Sequence, residues 1–286
     1  MNRLFVNQLT VVDFSYLHPE RCLLGESWQV DVTLSGLLDE QGMVFDFAEV
    51  KKQVKQLIDT EFDHRLLIPL YSPHLSFQPL PSDRVELRFT TVPGEVIHLS
   101  CPAQAIGVLA TAAVDPASLA NAILELLWAL LPANVVAVDI DLHPEPTTGA
   151  YFHYSHGLRQ HRGNCQRIAH GHRSRLEIMT NHQRNPELEQ QWAERWRDIY
   201  IATTQDLQSQ FEYQGQAYWQ FAYTAAQGDF ALSLPASRCY LVETDSTIEN
   251  LANHLCGVLA TAHPHQPLQV RLFEGINKGA MAVSGE

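Results

Sequence analysis

From position 28 to 35, Val30, Val32 and Leu34 alternate with Gln29, Asp31 and Thr33, the period of two that marks a strand with one buried face. The turn-rich stretch 37–43, with Asp39 and Gly42, is expected to lead into a returning strand. The period then lengthens. Asp46 opens a helix with Glu49 three residues on as a capping box, and Phe47, Val50, Val54, Leu57 and Ile58 share one helical face. The Pro-rich segment 69–81 reads as a loop. Strands are predicted over 84–90 and 95–99, then a helix over 116–131, with Pro116 at its first position after the capping Asp115, then a strand over 135–141. The second half gives a similar order: a strand over 173–179, a helix over 188–201, further strand-like runs, a helix over 247–260 behind Asp245-Ser246, and a strand over 268–273. Paired strands with single helices between them imply an α+β protein, its helices packed on one face of antiparallel sheets.

The repetition is also literal. Leu119-Ala120-Asn121 recurs as Leu251-Ala252-Asn253, and Pro132, closing the first helical run, recurs as Pro264. Phe14, followed four residues later by His18, has a counterpart in Phe152 and His156. Matches in the same order imply a duplicated domain, with residues 1–148 forming one copy and 149–286 the other.

Composition narrows the function. With 286 residues, 45% of them hydrophobic, the chain can bury two cores. A formal charge of −13 argues against a nucleic-acid or anionic-membrane binder, which needs a basic face. Apolar runs fall short of the ~20 residues that span a bilayer, and the first residues lack an apolar segment of signal-peptide length. Five scattered cysteines do not form a disulfide framework, so a cytoplasmic location is expected. One stretch departs from the acidic balance. Arg159, Arg162, Arg167, Arg173 and Arg175 lie among His161, His170 and His172 with no acidic residue between them. Such an island suits an anionic ligand such as a phosphorylated small molecule, or simply a solvated loop.

His170-Gly171-His172 stands where a strand begins. Residues two apart on a strand face the same way, so both imidazoles can reach one ion, and His156 at the end of the preceding strand can supply a third ligand. Three neutral imidazoles suit zinc and leave a coordination position open, as a catalytic site requires. Cys165 lies between the ligands, where nearby cations favour the thiolate, so it is either a base or a fourth ligand that closes the site.

An aromatic four residues before His156, then Cys165 shortly before His-Gly-His at a strand start, resembles the 6-pyruvoyltetrahydropterin and 6-carboxytetrahydropterin synthase family of T-fold enzymes. Gly42-Met43-Val44-Phe45-Asp46-Phe47 is similar to the family's hairpin-to-helix sequence, and Asp63-His64 to its catalytic pair after that helix. Thr247 and Glu249 resemble its Thr-x-Glu stretch, and Glu274 falls where the family anchors the pterin ring. In the first half Leu24-Gly25-Glu26 replaces His-Gly-His although His18 remains, so that half should hold no zinc. The second half shows no Asp-His after its helix, and 196–240 does not match the family well.

The resemblance implies two tandem T-fold domains, the first supplying Asp63 and His64, the second a zinc site of His156, His170 and His172. It implies a zinc-dependent lyase acting on 7,8-dihydroneopterin triphosphate, with Cys165, His64 and Asp63 catalytic. Glu274, Thr247 and Glu249 would bind the pterin, and Arg159, Arg162 or Arg167 the triphosphate. A carboxy-forming reaction, as in queuosine biosynthesis, is the expected branch, and the pyruvoyl-forming reaction is the alternative. A homo-oligomer with active sites between domains is implied, and a ring of alternating domains would need an even number of them. Two other classes stay open: a pterin-binding scaffold with structural zinc, and a zinc hydrolase using Glu177 as base.

Overall fold

In the computed structural model, which describes residues 1–284, the first half runs β1 (Asn2–His18), β2 (Cys22–Gly36), α1 (Phe47–Glu61), β3 (Leu66–Pro69), β4 (Leu75–Leu80), β5 (Arg84–Thr90), β6 (Val96–Pro102), β7 (Ile106–Leu109), α2 (Pro116–Leu127) and β8 (Val135–Pro144). The second half runs β9 (Tyr151–His156), β10 (His170–Thr180), β11 (Gln183–Arg184), α3 (Pro186–Arg195), β12 (Ile199–Thr203), β13 (Leu207–Tyr213), β14 (Gln216–Ala225), β15 (Gly228–Pro235), β16 (Cys239–Val242), α4 (Ile248–Ala262), β17 (Leu268–Phe273) and β18 (Gly279–Ser284). The chain is α+β, and the two halves are tandem copies of one plan.

Each copy is built on a hairpin. Strands ordered β7-β3-β1-β2-β8 form one sheet, and β16-β12-β9-β10-β17-β18, with β11 beside β10, form its counterpart. Val50, Val54 and Ile58 of α1 and Leu119, Ile123 and Leu127 of α2 bury their apolar faces in the first copy's core, while Trp192 of α3 and Leu251, Leu255 and Leu259 of α4 do so in the second. The sheets are mixed rather than purely antiparallel, because β3 runs parallel to β1 and β7, and β12 to β9 and β16.

Local differences from the sequence reading have local causes. The segment after β2 closes as a turn instead of a returning strand, because the Asp39 carboxylate accepts the Gln41 and Met43 N–H groups at 2.9 Å each. Asp46 does cap α1 through the Ala48 and Glu49 N–H groups, but Phe47 stays exposed ahead of the first buried turn. Residues 75–80 form a strand despite Pro79, since β4 is outermost in its sheet, where a missing N–H is tolerated. The helix expected over 188–201 stops at Arg195. Asp198, at φ 53°, re-aims the chain, and the β-prone run Ile199-Tyr200-Ile201 begins β12. Thr247, not the preceding Asp-Ser pair, caps α4, its hydroxyl accepting the Asn250 N–H.

The poorly matching region 196–240 has a structural role. Its β13–β15 join β4–β6 of the first half in one six-stranded sheet, ordered β13-β14-β15-β6-β5-β4, with Leu99 opposite Leu232 at its centre. Beneath it lies a core drawn from both halves, including Leu17, Leu23, Phe89 and Leu99 from the first and Ile168, Tyr200, Phe221 and Phe230 from the second. Each fully buried aromatic there contributes about 1.5–3 kcal/mol, so the two domains are docked by an apolar core.

The hairpins of the two copies also meet, in an approximately twofold arrangement. Ser15 pairs with Gly25 in the first hairpin as Ser155 pairs with Gly171 in the second, and the two serine hydroxyls hydrogen-bond at 2.7 Å. A Cβ at Gly25 would run into the Tyr154 carbonyl, and one at Gly171 would meet Gly25 and Ser15, so glycine is required at both. This contact helps bury β2 on both faces from Cys22 to Val30, including 28–30, where alternation predicted one buried face.

Candidate metal centre and interdomain site

Pairing of β9 with β10 sets His170 opposite His156, and the alternation of β10 brings His172 to the same side. Their rings cluster, with centroids 4.4 Å apart for His156–His170, 5.5 Å for His156–His172 and 5.9 Å for His170–His172. One ligand nitrogen from each lies within 4.8 Å of the others, and all three side chains are buried.

The far side of each ring is fixed. His156 Nδ1 lies 3.1 Å from both the carbonyl and the hydroxyl of Ser246, and His170 Nδ1 lies 2.9 Å from the Arg167 carbonyl. A carbonyl only accepts, so Nδ1 of His170 carries the proton, and the same holds for His156 toward the Ser246 carbonyl. Their Nε2 lone pairs are buried and have no partner. Burial, reinforced by His172 beside His156 and by His156 beside His170, pushes both imidazoles well below the ordinary histidine pKa. Buried, neutral nitrogens without donors are what a divalent cation needs, and the set fits zinc.

His172 is oriented from the other domain. Asp13 of β1 places its Oδ1 3.3 Å from His172 Nδ1, and also accepts Ser27 Oγ at 2.5 Å and Lys278 Nζ at 2.9 Å. Burial alone would raise the Asp13 carboxyl, but His172, with Lys278 and Ser27, holds it well below the usual carboxylate range. Nothing in the sequence marked Asp13. A buried acid within a strand has no local signature, and its partners lie in the other half of the chain.

Asp63 and His64 reach the same place from domain one. His64, at φ 54°, hydrogen-bonds through Nδ1 to Asp63, while the other Asp63 oxygen accepts the Asp13 N–H at 2.9 Å. A left-handed histidine costs about 1–3 kcal/mol, and such strain gathers at functional sites. The His64 ring lies 5.1 Å from that of His170, and ligand atoms of His64, Cys165 and His170 fall within 4.8 Å of one another. Burial opposes charge on His64, but its hydrogen bonds to Asp63 and Cys165 prevail and raise its pKa to about 10. Cys165, His64 and Asp63 form a chain from thiol through imidazole to carboxylate, with the thiol beside the histidine cluster.

The loop that presents Cys165 is gripped by the region that the sequence left unexplained. Tyr223 Oη donates to the Gln166 carbonyl and Tyr200 Oη to the Ile168 carbonyl, both at 2.9 Å, and the Gln227 N–H donates to Gln166 Oε1 at 2.7 Å. Arg167 is buried, and its guanidinium donates to Gln227 Oε1 at 3.1 Å and the His64 carbonyl at 3.3 Å. Arg159 is held by Asp206 at 3.0 Å and Gln205 at 2.6 Å, whereas Arg162 is exposed. Glu274 Oε1 lies 4.0 Å from His172 Nε2, at the mouth of the cluster. Thr247 is occupied as a helix cap, and Glu249 is exposed in the first turn of α4.

Two readings of the sequence need correction. Register places Tyr16, opposite Leu24, where domain two has His156 opposite His170, so His18 is not the counterpart of a ligand. His18 instead accepts the Glu20 and Arg21 N–H groups at 3.1 Å and closes the hairpin turn. Glu177, the base of the hydrolase reading, lies five residues beyond His172 on the same strand and so on its opposite face, 3.5 Å from Arg271.

The sequence pattern of the 6-pyruvoyl tetrahydropterin synthase family matches residues 10–144 and again 145–284. Among solved structures, the chain is similar to 6-pyruvoyl tetrahydropterin synthase from Plasmodium vivax, at 19% identity and a TM-score of 0.43, over 51% of this chain and 93% of that one. It is also similar to the Plasmodium falciparum enzyme, at 18% identity and a TM-score of 0.37, over 49% and 90%. No curated protein sequence matches the chain.

Proposed function

Since the chain belongs to the 6-pyruvoyl tetrahydropterin synthase family, as two tandem T-fold domains, we propose that it is a zinc-dependent lyase acting on 7,8-dihydroneopterin triphosphate, with one working site per chain. The observation that carries this reading is convergence across domains. Asp63 and His64 come from one copy, and Cys165, His156, His170 and His172 from the other, into a single cluster whose three second-copy histidines are buried. Zinc, when bound by the three histidines, supplies Lewis-acid polarisation of the substrate's side-chain hydroxyls.

The chain's own groups do the rest. Glu274 receives the parallel N–H donors of the pterin ring, with Thr247 and Glu249 at the adjoining helix start. Cys165 takes a proton from the substrate side chain, and His64, oriented by Asp63, relays it. Arg162 lies exposed on the loop to meet the triphosphate, while Arg159 and Arg167 would have to leave present partners to help. Carboxy formation, with loss of triphosphate and acetaldehyde, is the favoured branch, as in queuosine biosynthesis, and pyruvoyl formation is the alternative. We place the domain division after residue 148, and the protein in the cytoplasm as a homo-oligomer that binds no nucleic acid. Among the described residues, no helix is long and apolar enough to cross a membrane.

One observation favours a second reading. Cys165 is near enough to His170 to serve as a ligand, which would close the site and leave a pterin-binding scaffold. Incubation with dihydroneopterin triphosphate, reading pterin products and triphosphate together, tests the proposal. Release of triphosphate with a six-carboxylated or pyruvoylated pterin supports it, and binding without turnover favours the scaffold.

A further inference from the structure

The approximate twofold relation that produces the histidine cluster also produces a second interdomain site, and its residues are not vestigial filler. Superposing the hairpin registers sets Tyr16, Leu24 and Glu26 on His156, His170 and His172, and His153 on Asp13. Ser15 lies opposite Leu66 in β3 as Ser155 lies opposite Tyr200 in β12, so Asp198 takes the place of His64. The backbone agrees: φ is 54° at His64 and 53° at Asp198.

Every charge in the second site is reassigned. Where domain two presents His172 to the carboxylate of Asp13, domain one presents Glu26 to the imidazole of His153, at 3.3 Å in both cases. Where His64 faces the cluster, Asp198 accepts a two-pronged contact from Arg21, at 2.8 Å from Nε and 2.6 Å from Nη2. The same Nη2 lies 3.0 Å from His153 Nδ1. A guanidinium only donates, so His153 Nδ1 accepts and its Nε2–H faces Glu26, completing an unbroken path from Arg21 to Glu26. Glu26, His153 and Asp198 are each at least nine-tenths buried, while Arg21 keeps one side toward solvent. Leu24 and Tyr16 offer no imidazole to an ion.

We propose that this second site is a metal-free interdomain clamp in which the Arg21 guanidinium, held by the counterparts of His64 and Asp13, keeps the two domains docked whether or not the histidine cluster is loaded. Arg21 and Glu26 belong to domain one, and Asp198 and His153 to domain two, so both contacts made by Arg21 cross the interface. A fixed organic cation with planar donors suits two buried acceptors better than a point charge, which makes lysine a poor substitute. The clamp stands apart from the lyase reading, because it concerns docking alone.

A double-mutant cycle on the full-length chain tests it, with melting temperature and metal content measured before and after chelation. Arg21→Met should lower Tm by on the order of 5 °C in both states, since it strands the buried Asp198. Arg21→Met with Asp198→Asn should fall no further than Arg21→Met alone, and Arg21→Lys should recover only part of the loss. Metal content should stay at the wild-type value throughout. Should Arg21→Met yield no folded protein, the Asp198→Asn and Arg21→Lys pair carries the same cycle. Full additivity, or a Tm unmoved by Arg21→Met, would overturn the clamp. So would a metal ion in the wild type that Glu26→Gln releases.

Discussion

Asp13→Asn separates a metal-orienting carboxylate from a merely structural one. The substitution keeps size and leaves an amide oxygen for Ser27 and His172, but it removes the negative charge that His172 Nδ1 meets at 3.3 Å. Outer carboxylates of this kind are worth about 10- to 100-fold in metal affinity. That corresponds to about 1.4–2.8 kcal/mol. The burial of Asp13 argues for the upper part of that range, because water cannot replace the lost charge. Lys278, which shares the carboxylate but has a side chain 52% exposed, serves as the control: Lys278→Met should change affinity by less than about fivefold. Zinc competition against a chromogenic chelator reads both. Equal affinity for wild type and Asp13→Asn would refute the assignment of Asp13 to His172, and a larger effect at Lys278 would mean the lysine, not the imidazole, is what Asp13 serves.

Cys165→Ala should abolish turnover while zinc content stays unchanged, measured on one preparation by product assay and elemental analysis. Loss of zinc with the thiol would favour the closed scaffold site. His64→Ala should cut kcat by about 100-fold or more, the range of a general acid–base group. Because His64 and Cys165 meet within one chain, mixing His64→Ala with His172→Ala chains should restore no activity, and recovery would place the sites between chains. The metal-free protein should lose stability as pH falls below about 6.5, the unfolded histidine value. His156 and His170 stay neutral in the fold while the unfolded chain takes up their protons, a loss of about 1.4 kcal/mol per pH unit for each. His64, raised to about 10, contributes stability that is lost on the alkaline side, between about 6.5 and 10. Chelated samples melted from pH 8 to 5 should therefore gain Tm down to about 6.5 and lose it below, and a profile that stays flat below 6.5 would contradict neutral buried imidazoles.

The histidine cluster was legible because its signal is local. Two histidines separated by one glycine at a strand start must share a face, and their hairpin partner follows from pairing. The duplicated helices were legible for the same reason, as caps and apolar periods lie within one element. Asp13, Arg21 and Asp198 were not, because each acts on a residue of the other domain and its burial depends on docking. Pairing the two aromatic-to-His motifs by spacing alone slipped the first hairpin by two residues and made His18 a relic ligand. Only the cross-strand register, Ser15 with Gly25 against Ser155 with Gly171, set Tyr16 in that place. Region 196–240 was opaque because β13–β15 earn their burial from strands of the other half, a pairing that alternation cannot foresee.

X-ray absorption at the zinc edge of the protein as purified tests the centre of the account. The proposed site predicts three imidazole nitrogens at about 2.0 Å, a further light atom and no sulfur, with His156, His170 and His172 holding the ion and Cys165 free for proton transfer. A sulfur shell at about 2.3 Å would contradict it, for then the thiol is a ligand and the position meant for substrate is closed.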